Sequence, residues 1–203
     1  MTLETHAAGP VILAGYSWGA WLSTFVAARH PHLVHKLILI SSGPFEARYT
    51  AQMNATRLAR LRALGLEDEW QTAVQSLSGP QLTQADHWLA RLGELAALAD
   101  SYDPLPSESR DRLLQGNIFQ GVWDAAAAWR ADGRLLALVQ QLACPVTAIH
   151  GDFDPHPAAG VQQPLARLLK NFRFILLKNC GHTPWLERQA RDTFYETLRQ
   201  EIA

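Results

Sequence analysis

Short apolar runs of strand length alternate along this chain with segments of helical period. Val11-Ile12-Leu13-Ala14 has the length and β-branching of a fully buried strand, and "AWLSTFVAARHP", after Gly19, reads as a helix ending before Pro31. Residues 36–43, 144–151 and 172–182 read as three further buried parallel strands, each ending in small or polar residues where a loop begins. Residues 163–170 predict a short helix between the last two. Beyond His182, the residues Leu186, Ala190, Phe194 and Leu198 recur every four positions on one helical face. Strands alternating with helices predict an α/β fold, a mostly parallel sheet covered on both faces.

Residues 45–142 break the alternation. They contain no strand pattern, only helical segments interrupted by Gly79-Pro80 and by "SYDPLPSES". The expected organisation is a core formed by residues 1–44 and 143–203 with a helical insertion at 45–142. Four tryptophans of the insertion, Trp70, Trp88, Trp123 and Trp129, either line an apolar substrate pocket or form ordinary core at helical spacing.

Composition narrows the partners. The chain has 203 residues, 48% of them hydrophobic, enough to bury a substantial core, and a formal net charge of -1 without long runs of one sign. Nothing in this recommends nucleic acid or an anionic membrane as a partner. No apolar stretch approaches about 18 residues and no basic start precedes an apolar run, so a soluble cytoplasmic protein is expected. Cys144 precedes one strand and Cys180 follows another; opposite ends of a parallel sheet predict that they are not joined.

The candidate chemistry begins at "GYSWG". Ser17 falls on a strand-to-helix turn, where Gly15 and Gly19 on either side remove Cβ atoms that would clash. Such a turn pushes the serine oxygen out beyond the strand, and the amide of Trp18, at the helix N-terminus, points where an oxyanion would form. The pentapeptide alone is weak, since Gly-x-Ser-x-Gly arises by chance in roughly one in fifteen chains of this length. A serine needs an imidazole to take its proton and a carboxylate to hold that imidazole. The strand ends supply both: "HGDFDPHP" places Asp152 and Asp154 beyond one strand, and "NCGHTPW" places His182 beyond the last. In a parallel sheet Ser17, Asp154 and His182 emerge at the same edge.

In these motifs the chain resembles the α/β-hydrolases. The order Ser17, Asp154, His182 matches that family's nucleophile, acid and base, and "GDFD" and "NCGH" match its acid and histidine loops. The resemblance covers essentially the whole chain. It implies strands five to eight of the family's eight-stranded sheet, with residues 45–142 placed as the helical cap. It further implies a serine hydrolase acting on an ester, amide or related acyl substrate, with no cofactor. Tyr16 and Trp18 flank the nucleophile and either touch the substrate or pack beneath it. The family's strands one to four have no counterpart in "MTLETHAAGP", and its third-strand loop donates a second oxyanion amide; losing one such donor typically costs about 100- to 1000-fold in turnover. A non-catalytic or partner-dependent binding protein is therefore the alternative.

Each residue has a competing role. Asp152 is the other candidate acid, with Asp154 capping the turn before Pro155. His150 reads as a packed histidine at a strand end. His150, Asp152, Asp154 and His156 alternate as metal ligands might, but Pro155 and Pro157 disrupt the regular strand needed to aim them together, so no metal is expected. His30, His32 and His35 flank a helix end and read as solvated. With only four strands, Val11-Ile12-Leu13-Ala14 becomes an uncharged edge, a template for a homodimer or for a partner chain supplying strands.

Overall fold

The computed structural model describes residues 8–78, 85–106 and 116–203, except for the side chains of residues 78, 85 and 116–123. The breaks expected at Gly79-Pro80 and in "PSES" lie wholly or partly outside the described residues.

Four parallel strands form one sheet in the order β1 (Val11–Tyr16), β2 (Val34–Ile40), β3 (Val146–Gly151) and β4 (Phe172–Leu177). Helix α1 (Trp18–Arg29) joins β1 to β2, and α7 (Ala159–Leu168) joins β3 to β4. Between β2 and β3 come α2 (Thr50–Ala63), α3 (Glu67–Ser78), α4 (Ala85–Asp100), α5 (Gly116–Ala131) and α6 (Arg134–Val139), with no strand among the described residues. Helix α8 (Arg191–Ile202) closes the chain.

Two-residue alternation in the strands builds the two core layers. Leu37, Leu39, Val146 and Ala148 face α1, α6 and α7, meeting Ala20, Trp21, Leu135, Val139, Val161 and Leu165. Ile38, Ile40 and Ile149 face the other way, toward Ala190 and Phe194 at the start of α8. A third cluster, Leu61, Leu95 and Ala99 with Leu66 and Trp70, holds α2, α3 and α4 together. The one-faced repeat predicted from Leu186 splits: Leu186 ends a short 3-10 turn, Pro184–Leu186, Ala190 caps the helix that follows, and Phe194 and Leu198 lie on it.

The outer strands depart from the fully buried pattern. Val11, Ile12 and Leu13 are half-buried and Ala14 is exposed, because β1 has β2 on one side only. Apolar runs record which faces are covered and say nothing of which edge is paired. Trp129 packs on Phe25 with ring centroids 4.8 Å apart, within the main core cluster, and Trp70 lies in the third cluster, so both serve as packing residues. Trp88 is half-buried beside His87, and the Trp123 side chain lies outside the described residues. His30, His32 and His35 are exposed. Both cysteines are free, and burial, followed by the carboxylates of Glu187, Asp154 and Asp152, pushes the Cys180 thiol up to about 12. No helix among the described residues is long and apolar enough to cross a membrane.

Candidate active site

The turn between β1 and α1 is as tight as "GYSWG" predicts. Ser17 sits at φ 54°, ψ -120°, outside the regions that side chains ordinarily occupy. Such a conformation costs on the order of 1–3 kcal/mol and persists only where its surroundings enforce it. Here its own N–H donates to the carbonyl of Ile40 at 2.9 Å, tying the turn to the end of β2. Gly15 is required because a Cβ there would collide with the carbonyl oxygen of Gly19 and the hydroxyl of Ser23. Gly19 departs from expectation: a Cβ there would meet nothing, so it relieves no clash among the described residues.

Three loops at the carboxyl ends of β1, β3 and β4 converge on one line of hydrogen bonds. Asp154 Oδ2 lies 2.7 Å from His182 Nδ1, and His182 Nε2 lies 3.0 Å from Ser17 Oγ. A carboxylate accepts only, so Nδ1 carries the ring proton and Nε2 is left to accept from the serine hydroxyl. The loops carrying Asp154 and His182 are stitched together, Phe153 N–H donating to the Cys180 carbonyl and Asp152 N–H to that of Leu177, each at 2.9 Å. Burial resists a charge on Asp154, yet the imidazoles of His182, His156 and His150 together hold its carboxyl well below the usual carboxylate range. Burial likewise resists the imidazolium of His182, but Asp154 outweighs it and the ring titrates above its ordinary value.

Asp152 is not part of this line. Its side chain is partly exposed, accepting from Cys180 N–H at 3.3 Å and lying 3.6 Å from Lys178 Nζ. His150 is buried at the strand end as read from the sequence, bonded at 2.8 Å to the carbonyl of His156; burial pushes its ring below the ordinary imidazole range. Tyr16 packs its ring against His182 and Trp185, with centroids at 5.1 and 4.6 Å, and its hydroxyl meets Thr183 Oγ1 at 3.0 Å. Trp18 opens α1, its ring 5.5 Å from that of Trp21.

His156 has a place the sequence did not suggest. Its ring Nδ1 lies 2.7 Å, and its backbone N–H 3.0 Å, from Asp154 Oδ1, and its ring stacks on His182 at 4.5 Å. The carboxylate therefore serves two imidazoles, one on each oxygen. The available signal was an Asp-Pro-X turn, in which an aspartate reaches the backbone two residues on, so a histidine at that position lands beside the carboxylate. Donor atoms of Asp154, His156 and His182 lie within 4.8 Å of one another and could ligate a metal, but each oxygen of Asp154 already accepts from an imidazole and His182 Nε2 is aligned on Ser17 Oγ. The four-residue set considered from sequence does not assemble, since Asp152 turns away to Cys180 and Lys178.

Known proteins agree with this architecture. Two pimeloyl-[acyl-carrier protein] methyl ester esterases are similar to the chain: that of Aromatoleum aromaticum at 28% identity over 183 residues, covering 86% of this chain and 68% of the relative, and that of Chromobacterium violaceum at 25% over 193 residues, covering 92% and 68%. The crystal structure of VinJ superposes with a TM-score of 0.58 at 19% identity, covering 98% of this chain and 67% of the other. The sequence profile of the alpha/beta hydrolase family matches residues 2–196. With a parallel α/β sheet and a profile match over nearly its whole length, the chain belongs to the alpha/beta hydrolase family.

Proposed function

We propose that the chain is a serine hydrolase cleaving an ester or related acyl bond, with Ser17 as nucleophile, His182 as general base and acid, and Asp154 as the carboxylate that orients and stabilises the imidazole. The observation that carries this reading is the unbroken hydrogen-bond line from Ser17 through His182 to a buried, ionised Asp154. As Ser17 Oγ bonds to the substrate carbonyl carbon, His182 Nε2 takes the hydroxyl proton. Negative charge then develops on the carbonyl oxygen beside the Trp18 N–H, where the N-terminal end of α1 favours it. Collapse of this intermediate breaks the bond to the leaving group, which departs with the proton from His182. Water, deprotonated by the same imidazole, then releases the acid from Ser17. Tyr16 backs the imidazole, and Trp18 borders the substrate. The esterase names of the two similar proteins support an acyl ester as the substrate class. Labelling by a fluorophosphonate together with turnover of short-chain p-nitrophenyl esters is the expected result; a protein that does neither would overturn the reading.

His156 enters as a positioning residue for Asp154. A hydrogen bond to a charged group contributes about 1.5–3 kcal/mol, and the backbone N–H of residue 156 remains to hold Oδ1. His156→Ala is therefore expected to lower kcat about tenfold with little change in KM, and His156→Asn, which keeps a donor, to recover part of the loss. Unchanged kcat in both variants would reduce His156 to packing.

A second reading has the site completed by strands added beside β1, whose outer edge meets no strand among the described residues. A second copy of the chain, paired antiparallel about a two-fold axis, is the simplest closed arrangement. Leu13 packs into the core whereas Ala14 is exposed, so Ala14→Lys charges the edge without opening the core. Sedimentation is expected to give a dimer or larger species for the unmodified chain and a monomer for Ala14→Lys. A monomer in both cases rejects the second reading.

A further inference from the structure

Arg130, on α5, is a half-buried guanidinium with no counter-charge among the described residues. Other arginines around the site are matched: Arg57 forks onto the Asp100 carboxylate at 2.8 and 2.7 Å, and Arg60 donates to the Ala99 carbonyl at 2.8 Å. Among the described residues Arg130 makes neither an ion pair nor a hydrogen bond, and its Nε–H is fully buried without an acceptor. Its guanidinium carbon lies over the Trp21 ring, 5.1 Å from the centroid. Burial alone pushes its titration below the usual arginine value, with no acid drawing it back. A buried donor without a partner is destabilising, and native structures hold few of them.

The location tells what the missing partner is. Trp21 stands one helical turn beyond Ser17, with its ring 5.5 Å from Trp18 and its indole N–H donating to the Gly43 carbonyl at 3.2 Å, just past the end of β2. Ala126, four residues before Arg130 on the same face of α5, is buried in the core cluster that contains Trp21. The guanidinium thus stands one aromatic ring away from Trp18, the proposed oxyanion residue. Its planar fork of N–H donors selects an anion.

We propose that Arg130 binds an anionic group, a carboxylate or a phosphate, carried by the acyl substrate at a distance from the bond that is cleaved. The inference rests on the reading of Ser17 as nucleophile. It makes the preferred substrate a charged ester rather than a plain aliphatic one.

The test combines binding with turnover. On Ser17→Ala protein, calorimetry with monomethyl adipate, dimethyl adipate and hexyl phosphate is expected to show one of the two anions binding at least about tenfold more tightly than the neutral diester, the gain of one charge-assisted hydrogen bond. Whichever anion wins identifies the group. Adding Arg130→Met should bring all three ligands to equal affinity. In turnover, the kcat/KM preference of the unmodified enzyme for the p-nitrophenyl hemiester of adipate over p-nitrophenyl hexanoate, also about tenfold, should collapse toward one in Arg130→Met and survive in part in Arg130→Lys. Thermal melting separates this role from a structural one: Arg130→Met should melt no lower than the parent, because a buried N–H without an acceptor has been removed from a half-buried side chain. Equal affinities for anions and diester in Ser17→Ala, or an anion preference that persists in Arg130→Met, would overturn the inference while leaving ester hydrolysis intact. Arg130-dependent anion binding in a protein that turns over no ester would keep the anion site and reject the hydrolase reading.

Discussion

Ser17→Ala is expected to abolish fluorophosphonate labelling and to lower ester hydrolysis by as much as about a millionfold, the loss seen when a serine nucleophile is removed from a complete triad. The Oγ is the atom aligned on His182 Nε2 at 3.0 Å, and alanine offers no nucleophile in its place. Alanine keeps the Cβ and the strained turn, and Ser17 N–H still donates to Ile40, so the fold and its melting temperature should hold. That separates lost chemistry from lost structure. His182→Ala should also lose most labelling, since the hydroxyl then has no base. Undiminished labelling of Ser17→Ala would remove Ser17 from the proposal.

The next largest effect belongs to Asp154. Asparagine preserves its shape but presents an amide donor to Nδ1, favouring the tautomer with hydrogen on Nε2, which cannot accept from Ser17; the comparable exchange in a serine protease costs about 10,000-fold. Asp154→Asn should approach that loss. Asp152→Asn, at a partly exposed loop carboxylate 3.6 Å from Lys178, should cost far less. A pH profile adds a check with a definite sign. His182 must be neutral to act as base, so kcat/KM rises as it loses its proton. Burial alone would lower its titration, but the charge and hydrogen bond of Asp154 raise it, so the acid limb should lie above about pH 6.5, the ordinary imidazole value. Without that carboxylate, the limb of the residual activity should move to lower pH. The reverse ranking of the two aspartates would transfer the acid's role to Asp152.

Ser17, Asp154 and His182 were legible in sequence because chain order and a parallel sheet suffice to bring three strand ends to one edge. The choice between Asp152 and Asp154 came from loop spacing in a resembling family and not from the residues themselves. The contact of His156 with Asp154 was hidden because it depends on a ring rotamer and on a stacking distance, neither of which leaves a trace in spacing. Gly19 looked as necessary as Gly15, yet only at Gly15 does the returning helix press its backbone and Ser23 against the strand. The apolar run at β1 announced burial because hydrophobicity counts covered faces, whereas an edge is a matter of backbone pairing. Arg130 belongs to no motif in the sequence; what distinguishes it is that no carboxylate among the described residues meets it.

The loop that carries His182 is fastened to the end of α4. Its amide donates to the Asp100 carbonyl at 2.8 Å, and the buried Glu187 carboxylate accepts from Tyr102, Asp103 and Gly181 N–H at 3.0, 2.9 and 3.0 Å. A side chain on Gly181 would strike Asp100 and Glu187, so the two segments are fitted without slack. The helices between β2 and β3 are consequently not an interchangeable module. Recombination that imports a foreign helical segment to alter selectivity must cross over before Asp100, or carry Gly181 to Arg188 along with it, if the imidazole is to stay in register with the serine.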